Sequence, residues 1–175
     1  MTVSIPDYIE GFDGYEVLPP GRYTCNRDEF KERFVQNLPD SERRMQIFED
    51  LEEYQKQQLA CGLIVISYWI DGSFTTNKLN PSDIDITAII DGAASSPTPV
   101  ADDWINPADC WKNNAHPSVG RTLLVDGYGV VKLPDTHPDV KKYHELRGYW
   151  DDWWQRCRGT NEATRKGYVE VKPWT

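Results

Sequence analysis

The sequence predicts an α+β domain, built on one sheet with its helices packed on one face. Amphipathic periodicity at 41–60 and 138–154 predicts helices. Runs of β-branched and aromatic residues at 63–70, 84–90 and 121–133 predict strands. A further short helix and a closing strand complete the order helix, helix, strand, strand, strand, helix, strand, which is typical of an α+β sheet domain.

The composition indicates one acidic folded domain. The chain has 175 residues, of which 39% are apolar, and this is enough to bury a core. It carries 19 basic and 28 acidic residues, for a net charge of −9. An acidic surface repels phosphate backbones over about 8–10 Å, so non-specific binding to DNA is not expected. A small acidic site that holds a metal ion, and through it a triphosphate, is compatible with this charge.

Cysteine usage and hydropathy predict a cytoplasmic protein with no membrane partner. No pair of cysteines has metal-ligand spacing, and the N-terminus shows no basic and apolar leader. No apolar run approaches the ~20 residues that span a bilayer. We therefore expect reduced thiols at Cys25, Cys61, Cys110 and Cys157.

The N-terminal region predicts an arm followed by a helix. Residues 1–23 are expected to form an extended arm, with a turn at Pro19-Pro20-Gly21, and residues 24–175 a single domain. Asn26 followed by Glu29 is a variant of the capping box, so it predicts the start of a short helix.

A longer helix is predicted from Ser41 to about Ala60. Gly62 stands where a C-terminal cap is expected. Most other positions of this helix are charged or Gln, and the acidic run Glu42–Glu53 predicts a solvated face. The apolar residues at helical spacing are Ile47, Phe48, Leu51 and Tyr54.

The strand at 84–90 alternates in an informative way. Ile84 and Ile86 are expected to point to one face of the sheet, with Asp83 and Asp85 on the other. The two carboxylates would then enter one cleft while the isoleucines anchor the strand in the core.

The remaining elements follow from turn residues and periodicity. A loop is predicted at 91–103, and Pro107 predicts the start of a short helix. The strand at 121–133 precedes a helix that begins at Pro138, and 167–171 predicts a short closing strand.

The segment around the first two strands contains the residue types that metal-dependent phosphoryl transfer requires. Gly72 lets backbone N–H groups approach phosphate oxygens, and Ser73 adds a hydroxyl donor. Asp83 and Asp85 supply the oxygen ligands that Mg²⁺ prefers. Asp126 is the best candidate for a third carboxylate, because a lone Asp in an apolar strand is costly unless it is paired or metal-bound.

Gly72-Ser73, nine intervening residues and then Asp83-Ile84-Asp85-Ile86 resemble the signature of the polymerase-β-type nucleotidyltransferase superfamily. Over about residues 18–171 the chain resembles one branch in particular, a poorly characterised bacterial family of stand-alone nucleotidyltransferase-like proteins. Asp71 stands where the superfamily usually has an apolar residue. The segments that resemble this branch are Leu18–Gly21, Glu29-Phe30, Trp69–Phe74 and Lys166–Glu170.

The resemblance implies a mixed palm-like sheet and a nucleotidyltransferase activity. Gly72 and Ser73 would cradle the β- and γ-phosphates of a nucleoside triphosphate, and Asp83 and Asp85 would hold Mg²⁺ or Mn²⁺. Asp126 would bind the catalytic metal and help to ionise the acceptor hydroxyl. A nucleoside monophosphate would pass to a hydroxyl of an RNA end, a protein or a small molecule, with release of pyrophosphate.

Basic residues near the end of the chain form the one basic cluster in the sequence. They fit a solvated helix end, and alternatively Arg156 and Lys166 would bind a triphosphate or an RNA end. The cluster consists of Arg156, Arg158, Arg165 and Lys166.

Two further groups of residues have alternative interpretations. Asp135 and Asp139 are weaker candidates for the third carboxylate, because they lie in a proline-flanked loop. Three tryptophans at helical spacing predict a core-facing stripe, with a base-stacking platform as the alternative. These are Trp150, Trp153 and Trp154.

Two functions remain open from the sequence. The first is an active nucleotidyltransferase. The second is a catalytically idle binding module that acts as the antitoxin or regulator of a partner protein encoded nearby. Small stand-alone members of the superfamily often occur in toxin–antitoxin or phage-defence pairs, so the resemblance implies such a system for either function.

Overall fold

A computed structural model of the chain describes residues 5–11, 14–95, 120–157 and 164–174. The predicted helix after Pro107 lies outside these residues, as does most of the predicted loop at 91–103. Cys110 and Arg158 also lie outside the described part of the chain.

The strands of the described chain form a two-stranded hairpin and a five-stranded sheet. In chain order they are β1 (Ile9–Glu10), β2 (Glu16–Val17), β3 (Gly21–Cys25), β4 (Val65–Asp71), β5 (Ile84–Asp91), β6 (Val125–Lys132) and β7 (Gly167–Val171). The order in the larger sheet is β3-β7-β4-β5-β6. The β3–β7 and β5–β6 pairs are parallel, whereas β4 is antiparallel to both of its neighbours. This mixed sheet confirms the predicted α+β class.

Three α-helices of the described chain accompany the sheet, α1 (Arg27–Lys31), α2 (Ser41–Ala60) and α3 (Val140–Trp154). Asn26 and Glu29 form the predicted capping box, and the chain continues beyond α1 as a π-helical turn at Glu32–Gln36. Gly62 follows α2 with a φ of +82°, as expected of a C-terminal cap. Among the described residues, no helix combines the length and apolar character needed to cross a membrane.

The prediction that the helices pack on one face is wrong, because α2 and α3 cover opposite faces of the sheet. Tyr68 and Trp69 are adjacent residues of β4. Tyr68 donates a hydrogen bond to Gln58 of α2, whereas the ring of Trp69 lies under Arg147 of α3. Tyr128 packs on Trp150 of α3, with ring centroids 4.6 Å apart. Adjacent residues of a strand point to opposite faces, so the sheet has a helix on each side.

Part of the predicted N-terminal arm is a strand of the main sheet. β3 pairs with β7 from Gly21 opposite Gly167 to Cys25 opposite Val171. Its side chains alternate between half-buried and exposed, since β3 is an edge strand. In the sequence, Gly21–Cys25 follows Pro19-Pro20 and alternates only weakly between apolar and polar residues, so it gave no clear strand signal.

The polar face of α2 is not solvated throughout, and Arg44 is the clearest exception. Arg44 is 0% exposed, and its guanidinium donates to Asp40 Oδ1 at 2.9 Å and to four backbone carbonyl oxygens. These acceptors are Phe34 at 3.0 Å, Phe74 at 2.6 Å, Thr76 at 3.0 Å and Lys78 at 2.7 Å. Three of the four lie in residues 74–82, here called the spacer loop, between Gly72-Ser73 and Asp83.

Two more polar residues of α2 hold segments beside the sheet. Arg43 donates to the carbonyl oxygens of Pro81 at 3.1 Å and Ser82 at 2.7 Å, at the far end of the spacer loop. The buried carboxylate of Asp50 accepts two hydrogen bonds from Arg121, at 2.6 and 2.8 Å, and one from the Leu124 N–H at 2.9 Å. Thus α2 holds the chain before β5 and before β6.

Replacing Arg44 by Met is expected to lower the free energy of unfolding by at least about 3 kcal/mol, because buried carbonyls and Asp40 lose their donor. Arg147→Met is the matched control, since this arginine is exposed and contributes one cation–π contact. It is expected to cost about 1 kcal/mol or less. Urea unfolding followed by circular dichroism measures both, and equal losses would contradict the role given to Arg44.

Candidate functional site

A cleft of about 480 Å³ opens on the face of the sheet that carries α3. All seven residues predicted for the site line this cleft, together with several that were not predicted. The lining residues are Tyr15, Asp71, Gly72, Ser73, Thr76, Lys78, Asp83, Asp85, Asp126, Trp153, Trp154, Arg156 and Lys166. The two weaker candidates for a third carboxylate, Asp135 and Asp139, do not line it.

Three aspartates stand side by side on adjacent strands of the sheet. Asp71 of β4 is the register partner of Asp85 of β5, which in turn is the partner of Asp126 of β6. Side chains of register partners project from the same face. Asp83, just before β5, reaches the same cleft. Non-local pairing of three strands therefore brings together carboxylates that are far apart in the sequence.

The carboxylates differ in exposure and in hydrogen bonding. Asp126 is exposed and accepts a hydrogen bond from Tyr128 Oη at 3.1 Å, and half-buried Asp83 accepts one from Ser82 Oγ at 3.0 Å. Asp85 is half-buried between Ile84 and Ile86, both 0% exposed. The predicted alternation of β5 is confirmed, and it anchors the strand through its isoleucines.

Gly72 occupies a position that only glycine fits. Its φ is +80°, in the left-handed region, and a Cβ added there would overlap the carboxylate of Asp85. The 3-10 turn that follows, Ser73–Thr75, has only three residues. Gly72 therefore shapes the cleft, because its backbone lies directly against the Asp85 carboxylate.

Asp71 and Lys166 form an ion pair beneath the cleft, with both side chains less than a tenth exposed. Asp71 also accepts a hydrogen bond from Thr75 Oγ1 at 3.4 Å. Burial raises the pKa of the Asp71 carboxyl, while the ammonium of Lys166 opposes this shift. The unusual aspartate before the glycine thus has a lysine partner, and the charge of Lys166 is engaged inside the protein.

Arg156 is exposed at the edge of the cleft and is also paired. Its Nε donates to Asp152 Oδ2 at 2.7 Å, and Arg165 Nη1 donates to Asp152 Oδ1 at 2.9 Å. These two guanidiniums hold the pKa of Asp152 below its usual range. Among the basic residues predicted to bind nucleotide, the described pair Arg156 and Lys166 therefore both have carboxylate partners.

Sequence reasoning did not identify Tyr15, Thr76 and Lys78 as residues of the site. Thr76 and Lys78 lie in the spacer loop, where no motif marks a single position. Tyr15 lies before β2, and only the fold brings it to the cleft. Trp153, predicted as part of a core-facing stripe, is half-buried and lines the cleft.

The donor set is suited in chemistry to a hard divalent cation. Within the described ranges, no group of three acidic, histidine or cysteine side chains is arranged to hold a metal ion. Mg²⁺ is commonly bound by one or two carboxylates together with substrate phosphates. Asp83, Asp85 and Asp126 place carboxylates of this kind in one cleft.

Comparison with known proteins adds a family but no function. A family of unknown function, DUF6932, matches residues 10–172 of the chain. No curated protein and no solved structure matches the chain. The matched segment contains all of the residues that line the cleft.

Gly72→Ala is expected to destabilise the protein by more than about 1–2 kcal/mol, because it adds left-handed strain and displaces Asp85. Gly14→Ala is the matched control, since Gly14 has a φ of +79° with nothing within 4 Å of an added Cβ. Thermal melts of both variants separate strain from displacement. Equal losses of stability would contradict the close fit between Gly72 and Asp85.

Lys166→Met is expected to cost more stability at about pH 8 than at about pH 5.5, because it leaves Asp71 buried without its cation. The pKa of Asp71, already raised by burial, rises further without Lys166. A carboxyl whose pKa is raised in the folded protein stabilises that state at pH values below the usual carboxyl pKa. This stability is lost as the pH rises through the raised pKa.

Urea unfolding at the two pH values measures this difference. Lys141→Met, which removes an exposed ammonium paired with Glu145, is the control and is expected to cost at most about 1 kcal/mol at either pH. A pH-independent loss in Lys166→Met would contradict the assigned pairing.

Proposed function

The chain belongs to the DUF6932 family of unknown function, and we propose from its cleft that it is a metal-dependent nucleotidyltransferase. It would transfer a nucleoside monophosphate from a nucleoside triphosphate to a hydroxyl of an RNA end, a protein or a small molecule. The observation that carries the proposal is the meeting of Asp83, Asp85 and Asp126 in one cleft with Gly72 and Ser73.

The charge of the cleft supports a metal-dependent reaction. Asp71 is neutralised by Lys166, and Arg156 is paired with Asp152 outside the cleft lining. Within the described ranges three other aspartates line the cleft, Asp83, Asp85 and Asp126. These carboxylates would repel a triphosphate that carries no metal ion. A divalent cation attracts both the carboxylates and the triphosphate. Metal-bridged binding therefore reconciles an acidic cleft with an anionic substrate.

Each residue of the cleft has a role in this proposal. Asp83, Asp85 and Asp126 would hold Mg²⁺ or Mn²⁺, which supplies positive charge to phosphate oxygens during transfer. Ser73 would donate hydrogen bonds to the triphosphate. Gly72 would keep this backbone against Asp85, where a larger residue does not fit.

The transfer would exchange a phosphoanhydride bond of the nucleotide for a phosphoester bond to the acceptor. The acceptor oxygen forms a bond to the α-phosphorus, and the bond from that phosphorus to the bridging β-phosphate oxygen breaks. The acceptor proton would pass to the carboxylate of Asp126, which is the exposed member of the group. Pyrophosphate leaves with the electron pair of the broken bond.

Titration of the protein with each nucleoside triphosphate, with and without Mg²⁺ or Mn²⁺, tests the proposal. Metal-dependent binding is expected, and Asp85→Asn is expected to weaken it at least about a hundredfold, because a carboxylate ligand is lost. Asp135→Asn is the matched control, since Asp135 is exposed and outside the cleft lining.

Unchanged binding in Asp85→Asn would contradict the carboxylate assignment. Absence of nucleotide binding by the folded wild-type protein would overturn the enzyme and favour the binding module. If binding is found, transfer of labelled nucleotide to components of a cell extract, again compared with Asp85→Asn, identifies the acceptor class.

A further inference from the structure

The cations of the cleft are not equivalent. Three basic residues of the described chain line it, Lys78, Arg156 and Lys166. Lys166 is buried against Asp71, and Arg156 pairs with Asp152. Lys78 forms no ion pair within the part of the chain that the structure describes. Its ammonium is therefore the cleft cation whose charge is not already matched by a described carboxylate.

The backbone of Lys78 is held in place from both sides. Its carbonyl oxygen accepts a hydrogen bond from the buried Arg44 at 2.7 Å, and its N–H donates to Thr76 Oγ1 at 3.1 Å. The preceding residue, Asn77, exchanges hydrogen bonds with Glu16, including Glu16 N–H to Asn77 Oδ1 at 2.8 Å and Asn77 Nδ2 to Glu16 Oε2 at 2.9 Å. The position of Lys78 is thus set by contacts to α2 and to β2.

The side chain of Lys78 is guided by an aromatic ring. Its Nζ lies 5.5 Å from the centroid of the Tyr15 ring, and both residues line the cleft. A cation–π contact of this kind favours one region for the ammonium, yet it leaves all three N–H donors available to a stronger acceptor. Phosphate oxygens are such acceptors, and lysine is a common point charge in phosphate sites.

We propose that Lys78, guided by Tyr15, is the cation that binds the triphosphate of the nucleotide in this cleft. The inference rests on the proposed function and names its phosphate-binding cation. Lys166 and Arg156, which the sequence offered for this role, act instead through their carboxylate partners as structural supports. The carboxylates of the cleft would offset much of the charge of a bound metal ion. The ammonium of Lys78 adds positive charge to the cleft, which helps to attract the anionic triphosphate.

Binding of inorganic tripolyphosphate with Mn²⁺, measured by calorimetry, tests Lys78 directly. Lys78→Met is expected to weaken binding about tenfold to a hundredfold, the effect of losing one charge-assisted hydrogen bond. Lys78→Arg is expected to remain within about threefold of wild type, because the charge is kept. Lys56→Met, on the exposed side of α2, makes the same change in net charge away from the cleft and is expected to bind as wild type does.

The outcomes separate this inference from the proposed function. If wild type binds and Lys78→Met binds equally well, the assignment of Lys78 is wrong and the proposed function stands. If wild type binds neither tripolyphosphate nor any nucleoside triphosphate, both are wrong.

A second measurement needs no variant and so does not depend on the folding of Lys78→Met. Lysines of the wild-type protein are acetylated with a soluble active ester, with and without Mn²⁺ and tripolyphosphate, and the products are located by mass spectrometry. Protection of Lys78 but not of Lys56 is expected. Equal acetylation of Lys78 with and without the ligand would overturn the assignment.

Discussion

The guanidinium of Arg44 lies in the interior with no exposed surface, and its surroundings are mostly backbone oxygens rather than carboxylates. A buried cation is tolerable only when its donors are satisfied, so the segments that supply those oxygens must stay where they are. Three of the oxygens belong to the spacer loop, which leads from Gly72-Ser73 to Asp83. The conformation of the spacer loop, which contributes Thr76 and Lys78 to the cleft, therefore depends on the side chain of Arg44.

The cleft is organised from the opposite face of the sheet. Helix α2 packs on the side away from the cleft, yet Arg43 holds the chain just before Asp83, and Asp50 holds the chain just before β6 and Asp126. Hydrogen bonds thus hold the backbone just before Asp83 and just before Asp126, and the buried isoleucines Ile84 and Ile86 anchor β5 beside Asp85. Side chains supported in this way retain their relative positions without a ligand, which is the property that a binding site needs.

Local signals were sufficient to predict several elements from the sequence. Ser41–Ala60 follows from apolar periodicity and a capping glycine, and Gly167–Val171 agrees with the predicted closing strand. The motif residues Gly72, Ser73, Asp83 and Asp85 were predictable as a group, because a short spacer and strand alternation already imply one cleft. Predicting Asp126 as the third carboxylate required one further expectation, that a neighbouring strand contributes to the same cleft.

Features that depend on distant residues were not predictable in the same way. The side of the sheet on which α3 packs is decided by Trp69, Thr87 and Tyr128, and sequence periodicity does not tell one face from the other. The partner of Lys166 is Asp71, 95 positions earlier. The basic cluster therefore looked free in the sequence, although its described members Arg156, Arg165 and Lys166 all have carboxylate partners. Lys78 carried no signal, since only the fold brings it into contact with Arg44 and Tyr15.

The position of β7 has a consequence for how the chain is made. This strand lies between β3 and β4, although it is the last described strand to leave the ribosome and β3 is among the first. Until residues 167–171 emerge, β3 has no neighbour in the main sheet, and the corresponding edge of β4 is open. Pairings between such distant segments slow folding. During synthesis the nascent chain therefore carries an incomplete sheet, and Lys166, next to β7, reaches Asp71 only as the sheet closes.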